Sequence, residues 1–100
     1  MCLPLARFRV VDRSMEPQFK EGDFVLVNRW AYLFLKPKIG EVVILIDPEN
    51  TDRWLLKRIT GANRTSYEVR GDNTPLSRDS RKFGEIVKRK IVGKVLLRIH

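Results

Sequence analysis

The sequence of 100 residues is one domain's worth of chain, and 43% of it is hydrophobic, enough for a modest core and too much for a disordered tail. Twenty Lys and Arg against 12 Asp and Glu give a formal charge of +8, which allows three kinds of partner: nucleic acid, an anionic membrane surface or an acidic protein. The single cysteine, Cys2, excludes an internal disulfide or a cysteine metal cage, the lone histidine, His100, ends the chain and argues against a histidine-based triad, and no stretch reaches transmembrane length.

The apolar runs are short, β-branched and bounded by turn residues, which predicts strands. LARFRVV (5–11) reads as a first strand with alternating basic residues. RSMEPQF (13–19) follows; a serine three residues before a proline reads as turn chemistry or as a nucleophile presented at a cleft. DFVLVNR (23–29) follows the Gly22-Asp23 turn, with Phe24, Leu26 and Asn28 on one face and Val25, Val27 and Arg29 on the other. NRWAYLFLKPK (28–38) is ambiguous, an extended hairpin arm or a short turn of helix, ended by Pro37 in either case. Its segment Trp30 to Leu35 reads as core, a dimer contact or a patch facing an anionic membrane.

EVVILI (41–46) is apolar on both faces and is expected to be a central strand. RWLLKRIT (53–60) follows the turn cluster DPENTD, and SYEV (66–69) leads into the turn RGDNTP. IVGKVLLRI (91–99) closes the chain as a strand interrupted at Gly93, a candidate bulge. The sum is one all-β domain over residues 1–100, a compact, partly closed barrel of twisted antiparallel sheets.

A serine hydroxyl needs a base to become a nucleophile, and without a usable histidine the remaining bases are a carboxylate or a neutral lysine. A lysine base must fall from about 10.4 to roughly 8 or below, which burial favours at a cost on the order of 3 kcal/mol. Of the eight lysines, seven lie beside turns, prolines or other charges; Lys57 stands apart, sharing a strand face with Leu55 and Ile59. Trp54 and Leu56 make the opposite face apolar as well, so one of Lys57 and Arg58 must find a partner or a way out. Lys57 is therefore either a buried amine or a strand lysine whose stem reaches water.

SMEP (14–17), GDFVLVNR (22–29), GEVVIL (40–45), LKRITG (56–61), VRGDNTPLSRDSRKFG (69–84) and IVGKV (91–95) occur in this order. The set resembles the type I signal peptidase family of Ser-Lys endopeptidases over nearly the whole chain; the GDN…S-x-DSR-x-FG pattern after a KR is its most specific part. The resemblance implies a serine endopeptidase that removes an N-terminal leader or signal peptide bound in extended form, with Ser14 as nucleophile and Lys57 as general base. Ser77 would orient the lysine, Asp79 and Arg81 would form the pair that braces the site, Asp72 and Asn73 belong to the same loop, and Met15 would pack beside the nucleophile. No cofactor or metal is implied.

Two residues depart from the family pattern. Asp12 stands two before the nucleophile, where a small residue often helps the oxyanion hole, and Arg13 stands where another small residue is common. Membrane-bound members carry an N-terminal anchor, which this sequence does not show. The resemblance is thus to the short branch that includes maturation proteases of nickel-type superoxide dismutase, in the cytoplasm or peripheral to a membrane. Otherwise it is to a signal peptidase whose anchor preceded Met1, at the extracytoplasmic face. Two rival readings remain: a non-catalytic peptide-binding module of this fold, and a basic nucleic-acid-binding β-barrel using the residues from Arg78 to Lys94, which leaves the GDN…DSR pattern unexplained.

Overall fold

The computed structural model describes residues 4–11 and 13–99, so the expectations for Cys2, Asp12 and His100 lie outside the described residues. Within them the chain makes β1 (Leu5–Arg9), β2 (Phe24–Asn28), β3 (Val42–Ile46), β4 (Trp54–Ala62), β5 (Ser66–Arg70), a single helical turn α1 (Ser80–Phe83), β6 (Ile86–Val87) and β7 (Ile91–Ile99). The strands pair antiparallel in one sheet of order β1-β2-β7-β3-β4-β5-β6. The all-β expectation holds, and the continuously apolar β3 is central, paired to β7 on one side and β4 on the other.

Both faces of that sheet are covered. On one, Val25, Val27, Val42, Ile44, Leu56 and Val95 pack beneath Met15 and Phe19 of the segment after β1. On the other, Val43, Leu45, Leu55, Ile59 and Val69 pack with Tyr32 and Ile86. Strand alternation places neighbours such as Leu55 and Leu56 in different cores, so β4 runs between two apolar layers. The sheet also curls. Phe8 of β1 meets Trp54 of β4 edge to face at 4.7 Å, although three strands separate β1 from β4 in the hydrogen-bonded order.

Bulges assist the curl by increasing local twist. β7 carries one residue more than β3 opposite the Ile44–Leu45 step, and one more than β2 opposite Leu26–Val27. The first lies beside Gly93, where a Cβ would sit 2.7 Å from both the Asn28 carbonyl oxygen and Val27 Cγ1; the strands approach there too closely for a side chain.

The 28–38 expectation needs correcting: beyond Asn28, which ends β2, the segment is neither hairpin arm nor helix but a run of turns over 29–35, with Ala31 N–H donating to Asn28 O and Leu33 N–H to Trp30 O. Its apolar residues do not recur at a helical period; Tyr32 is anchored in the core, its hydroxyl donating to Glu41, and Ala31 packs against the same cluster. The reading of Trp30 to Leu35 as core therefore holds for Tyr32 and in part for Ala31, whereas Trp30, Leu33, Phe34 and Leu35 face solvent. Among the described residues no helix is long and apolar enough to cross a membrane.

Candidate active site

Ser14 lies in the tight turns that follow β1, where Glu16 N–H donates to Arg13 O and Phe19 N–H to Met15 O. Its neighbour Met15 is fully buried in the core beneath β3 and β4, and Ser14 is itself 1% exposed. The 71–73 loop is stitched to this segment by three hydrogen bonds. Asn73 N–H donates to Ser14 O at 2.7 Å, Asn73 Nδ2 to Arg13 O at 3.0 Å, and Asp72 N–H to Met15 Sδ at 3.3 Å.

Lys57 arrives from β4, on the face that carries Leu55 and Ile59, and is 1% exposed. Of the two alternatives left by the sequence, the structure has the buried one. Lys57 Nζ donates to Ser77 Oγ at 3.1 Å. The same oxygen accepts from Gly71 N–H at 3.0 Å and gives its own proton to Asp79 Oδ2 at 2.6 Å. Asp79 is 1% exposed and also receives Gly71 N–H at 3.0 Å and the Arg81 guanidinium at 2.9 and 3.0 Å. Burial pushes the Asp79 carboxyl up, but the donors from Arg81, Ser77 and the Gly71 backbone outweigh it and hold the group well below the usual carboxylate range.

Arg58, on the opposite face of β4 from Lys57, finds its partner in the same loop. It grips Asp72 through two bonds of 2.9 and 2.8 Å and donates a third to Gly40 O at 2.8 Å. The Asp72 side chain is thus engaged with Arg58, and the loop's bond to the core at that residue is made by its backbone.

Three contributors were not singled out in the sequence. Gly71 sits where the two halves meet: a Cβ there would lie 2.3 Å from Ser77 Oγ and 2.6 Å from Ser14 O. The Gly-Asp dipeptide signals a turn, but only the assembled site shows why no side chain fits. Arg58 was visible only as one member of a pair needing an outlet. Arg78 reaches from the Ser77–Asp79 segment to the fully buried Asp47, just past β3, and to Glu49. With Arg78, Arg81 and Lys94 in ion pairs, the basic run from 78 to 94 presents fewer free cations than its sequence suggests.

Beside the site lies an apolar cavity of about 230 Å³, lined among others by Phe8, Val10, Val25, Ile44, Trp54 and Leu56. One wall is the chain that leads into Ser14 and the other the part of β4 that leads into Lys57. Both walls have an unused strand edge: β1 pairs only with β2, and β5 pairs with β4 only from Arg58 onward. Among the described residues, no group of His, Cys, Asp and Glu is placed to hold a metal ion.

Two outcomes follow for stability. Gly71→Ala would force Ser77 and the Ser14 backbone apart and is expected to lower unfolding free energy by about 1–3 kcal/mol, read from denaturant melts. Because Asp79 has a depressed folded-state value, its contribution is fully present above the ordinary carboxylate range and declines progressively as pH falls below that range toward the folded-state value. The stability gap between wild type and Asp79→Asn is therefore expected to be wide at pH 7 and to narrow below about pH 4, measured by melts across pH 3 to 7.

Comparison with known proteins shows the family. Residues 2–65 match the family described as signal peptidase, peptidase S26. Signal peptidase I of Pseudomonas aeruginosa is 31% identical over 87% of this chain and 33% of its own length. Subunit 2 of the mitochondrial inner membrane protease of Schizosaccharomyces pombe is 32% identical over 84% of this chain and 58% of its own. The mitochondrial ATP-independent inner membrane protease subunit 1b of Arabidopsis thaliana is 29% identical over 78% of this chain and 59% of its own. The chain thus spans between a third and three fifths of the length of these relatives, and it belongs to the signal peptidase family, peptidase S26.

Proposed function

We propose that this chain is a serine endopeptidase that removes an N-terminal leader or signal peptide from a protein substrate, with Ser14 as nucleophile and Lys57 as general base. One observation carries the reading: a fully buried lysine amine hydrogen-bonded to a serine whose own proton is committed elsewhere, in a loop tied to the backbone of Ser14. A neutral amine has two N–H donors and one lone pair. Ser77 Oγ, with its proton given to Asp79, offers only lone pairs to Lys57, so Lys57 donates there and keeps its own lone pair for another proton. Burial disfavours the ammonium and so favours the form that acts as a base.

In the reaction, Lys57 Nζ takes the Ser14 hydroxyl proton as Oγ bonds to the peptide carbonyl carbon. The oxyanion is met by the Ser14 backbone N–H, and the resulting Lys57 ammonium, held by Ser77, protonates the leaving amine as the C–N bond breaks. Neutral Lys57 then takes a proton from water as it attacks the acyl ester, and the Lys57 ammonium returns that proton to Ser14 Oγ as the C–O bond breaks and the leader is released. Asp79 and Arg81 hold Ser77 in place, Asp72 and Asn73 hold the loop against Arg58 and Ser14, and Met15 packs behind the nucleophile. The substrate lies extended along the free edges of β1 and β4, as an added strand, with an apolar side chain in the cavity between them.

The test is cleavage of leader-containing peptides across pH 6 to 10. Ser14→Ala and Lys57→Met are expected to lose on the order of 10⁴-fold or more in kcat/KM, and Ser77→Ala about 100-fold. Wild-type activity is expected to rise with pH as the base loses its proton. Cleavage that survives in Lys57→Met would remove the dyad. Peptide binding without any cleavage by wild type would instead make the chain a binding module.

A further inference from the structure

The fully buried carboxylate of Asp47 takes no part in the chemistry proposed for this chain, yet it ends an ion pair that begins beside Ser77. We propose that Arg78 is a positioning residue for the base: gripped by Asp47 and Glu49 of the β3–β4 turn, it holds Ser77 Oγ against the Lys57 amine. Its kinetic role rests on the peptidase reading.

The backbone is extended at Ser77 and at Asp79, so these two side chains share a face and Arg78 projects from the other. On the inner face Ser77 Oγ meets Asp79 Oδ2 at 2.6 Å. On the outer face Arg78 donates Nη2 to Asp47 Oδ2 and Nη1 to Glu49 Oε1, and its guanidinium carbon lies 5.5 Å from the centre of the Phe83 ring. The planar fork is thus held on both nitrogens and on one side. A pull on Arg78 from outside fixes how far Ser77 reaches inside.

The receiving turn is itself tightly bonded. Asp47 N–H donates to Arg53 O at 3.0 Å, Asp47 Oδ1 accepts Glu49 N–H at 2.8 Å, and Arg53 N–H donates to Asn50 O at 2.9 Å. The carboxylate is therefore fixed by its own turn, directly after β3. Because β3 pairs with β4 and Val43 stands opposite Lys57, the base and the group that orients it refer to the same two strands. The pair of Asp79 and Arg81 bonds to Gly71, Thr74 and Ser77 and so shapes the loop from within. Arg58 attaches the loop at Asp72, near its start, whereas Arg78 attaches it at the residue next to Ser77.

Arg78→Met alone would leave the Asp47 carboxylate buried without its cation and lower stability. The decisive variant is therefore Arg78→Met with Asp47→Asn, which removes both charges together, assayed for cleavage of leader-containing peptides and for unfolding. Its kcat is expected to fall about tenfold while KM stays within about twofold, since Arg78 does not line the cavity. Its unfolding midpoint is expected to stay near that of wild type. Arg78→Lys, which keeps the charge but not the fork, is expected to retain part of the lost rate. A readout without activity is NMR of lysine Cε, in which the Lys57 resonance is expected to move in the double variant. An unchanged kcat in the folded double variant would overturn the proposal, as would a rise in KM with kcat intact or a loss of rate that only tracks unfolding. If wild type cleaves no peptide, the peptidase reading falls and the Lys57 resonance decides: displaced, it upholds the clamp; unmoved, it removes it.

Discussion

A lysine amine buried in a β-sheet core is the constraint around which this molecule is arranged. A charged ammonium out of water is costly unless neighbours meet it, and an amine left without partners is costly as well. At Lys57 the first partner is Ser77, and Ser77 can serve because Asp79 takes its proton. Asp79 in turn is buried and ionised only because Arg81 and two backbone N–H groups meet it. The chain of dependence runs from the surface guanidinium of Arg81 inward to the amine, and each link is satisfied by the next.

The same requirement explains the loop between β5 and α1. Residues 71–81 bring Gly71, Ser77 and Asp79 inward, while Arg58 holds Asp72 on one flank and Asp47 holds Arg78 on the other. Ion pairs of this kind contribute little when fully exposed, but these include carboxylates with no exposure at all at Asp47 and Asp79. Their effect is to fix geometry. Asn73 extends that fixed loop to the backbone of Ser14, so the serine and the lysine, delivered by distant parts of the chain, share one frame. The curl of the sheet supplies the remaining element, a cavity whose walls run into both residues.

Much of this was legible in the sequence where alternation governs. The continuous apolar run at 41–46 marked the central strand, and the Leu55–Lys57–Ile59 spacing put Lys57 on an apolar face. What local pattern could not give was pairing across long sequence separations. Arg58 to Asp72, Arg78 to Asp47 and Asn73 to Ser14 depend on how turns bring the loop home, and turns carry little directional information. The segment 28–38 misled for a related reason. Its apolar density suggested regular structure, but the core anchors little of it beyond Tyr32 and Ala31, and residues 29–35 are shaped by successive turns. Gly71 looked like an ordinary turn glycine because the crowding that excludes a side chain comes from Ser77 and Ser14, neither of which is its neighbour in sequence.

The central claim is that Lys57 is a neutral amine at working pH, and the most direct measurement is its own titration. NMR of the chain labelled at lysine Cε, with the Lys57 resonance assigned by its loss in Lys57→Met, would follow all eight lysines across pH 6 to 12. The account predicts that the Lys57 resonance titrates well below the ordinary lysine value of about 10.4. Lys57 titrating at or above about 10.4 would mean that its ammonium is stabilised in place, and the buried amine could not then serve as the base.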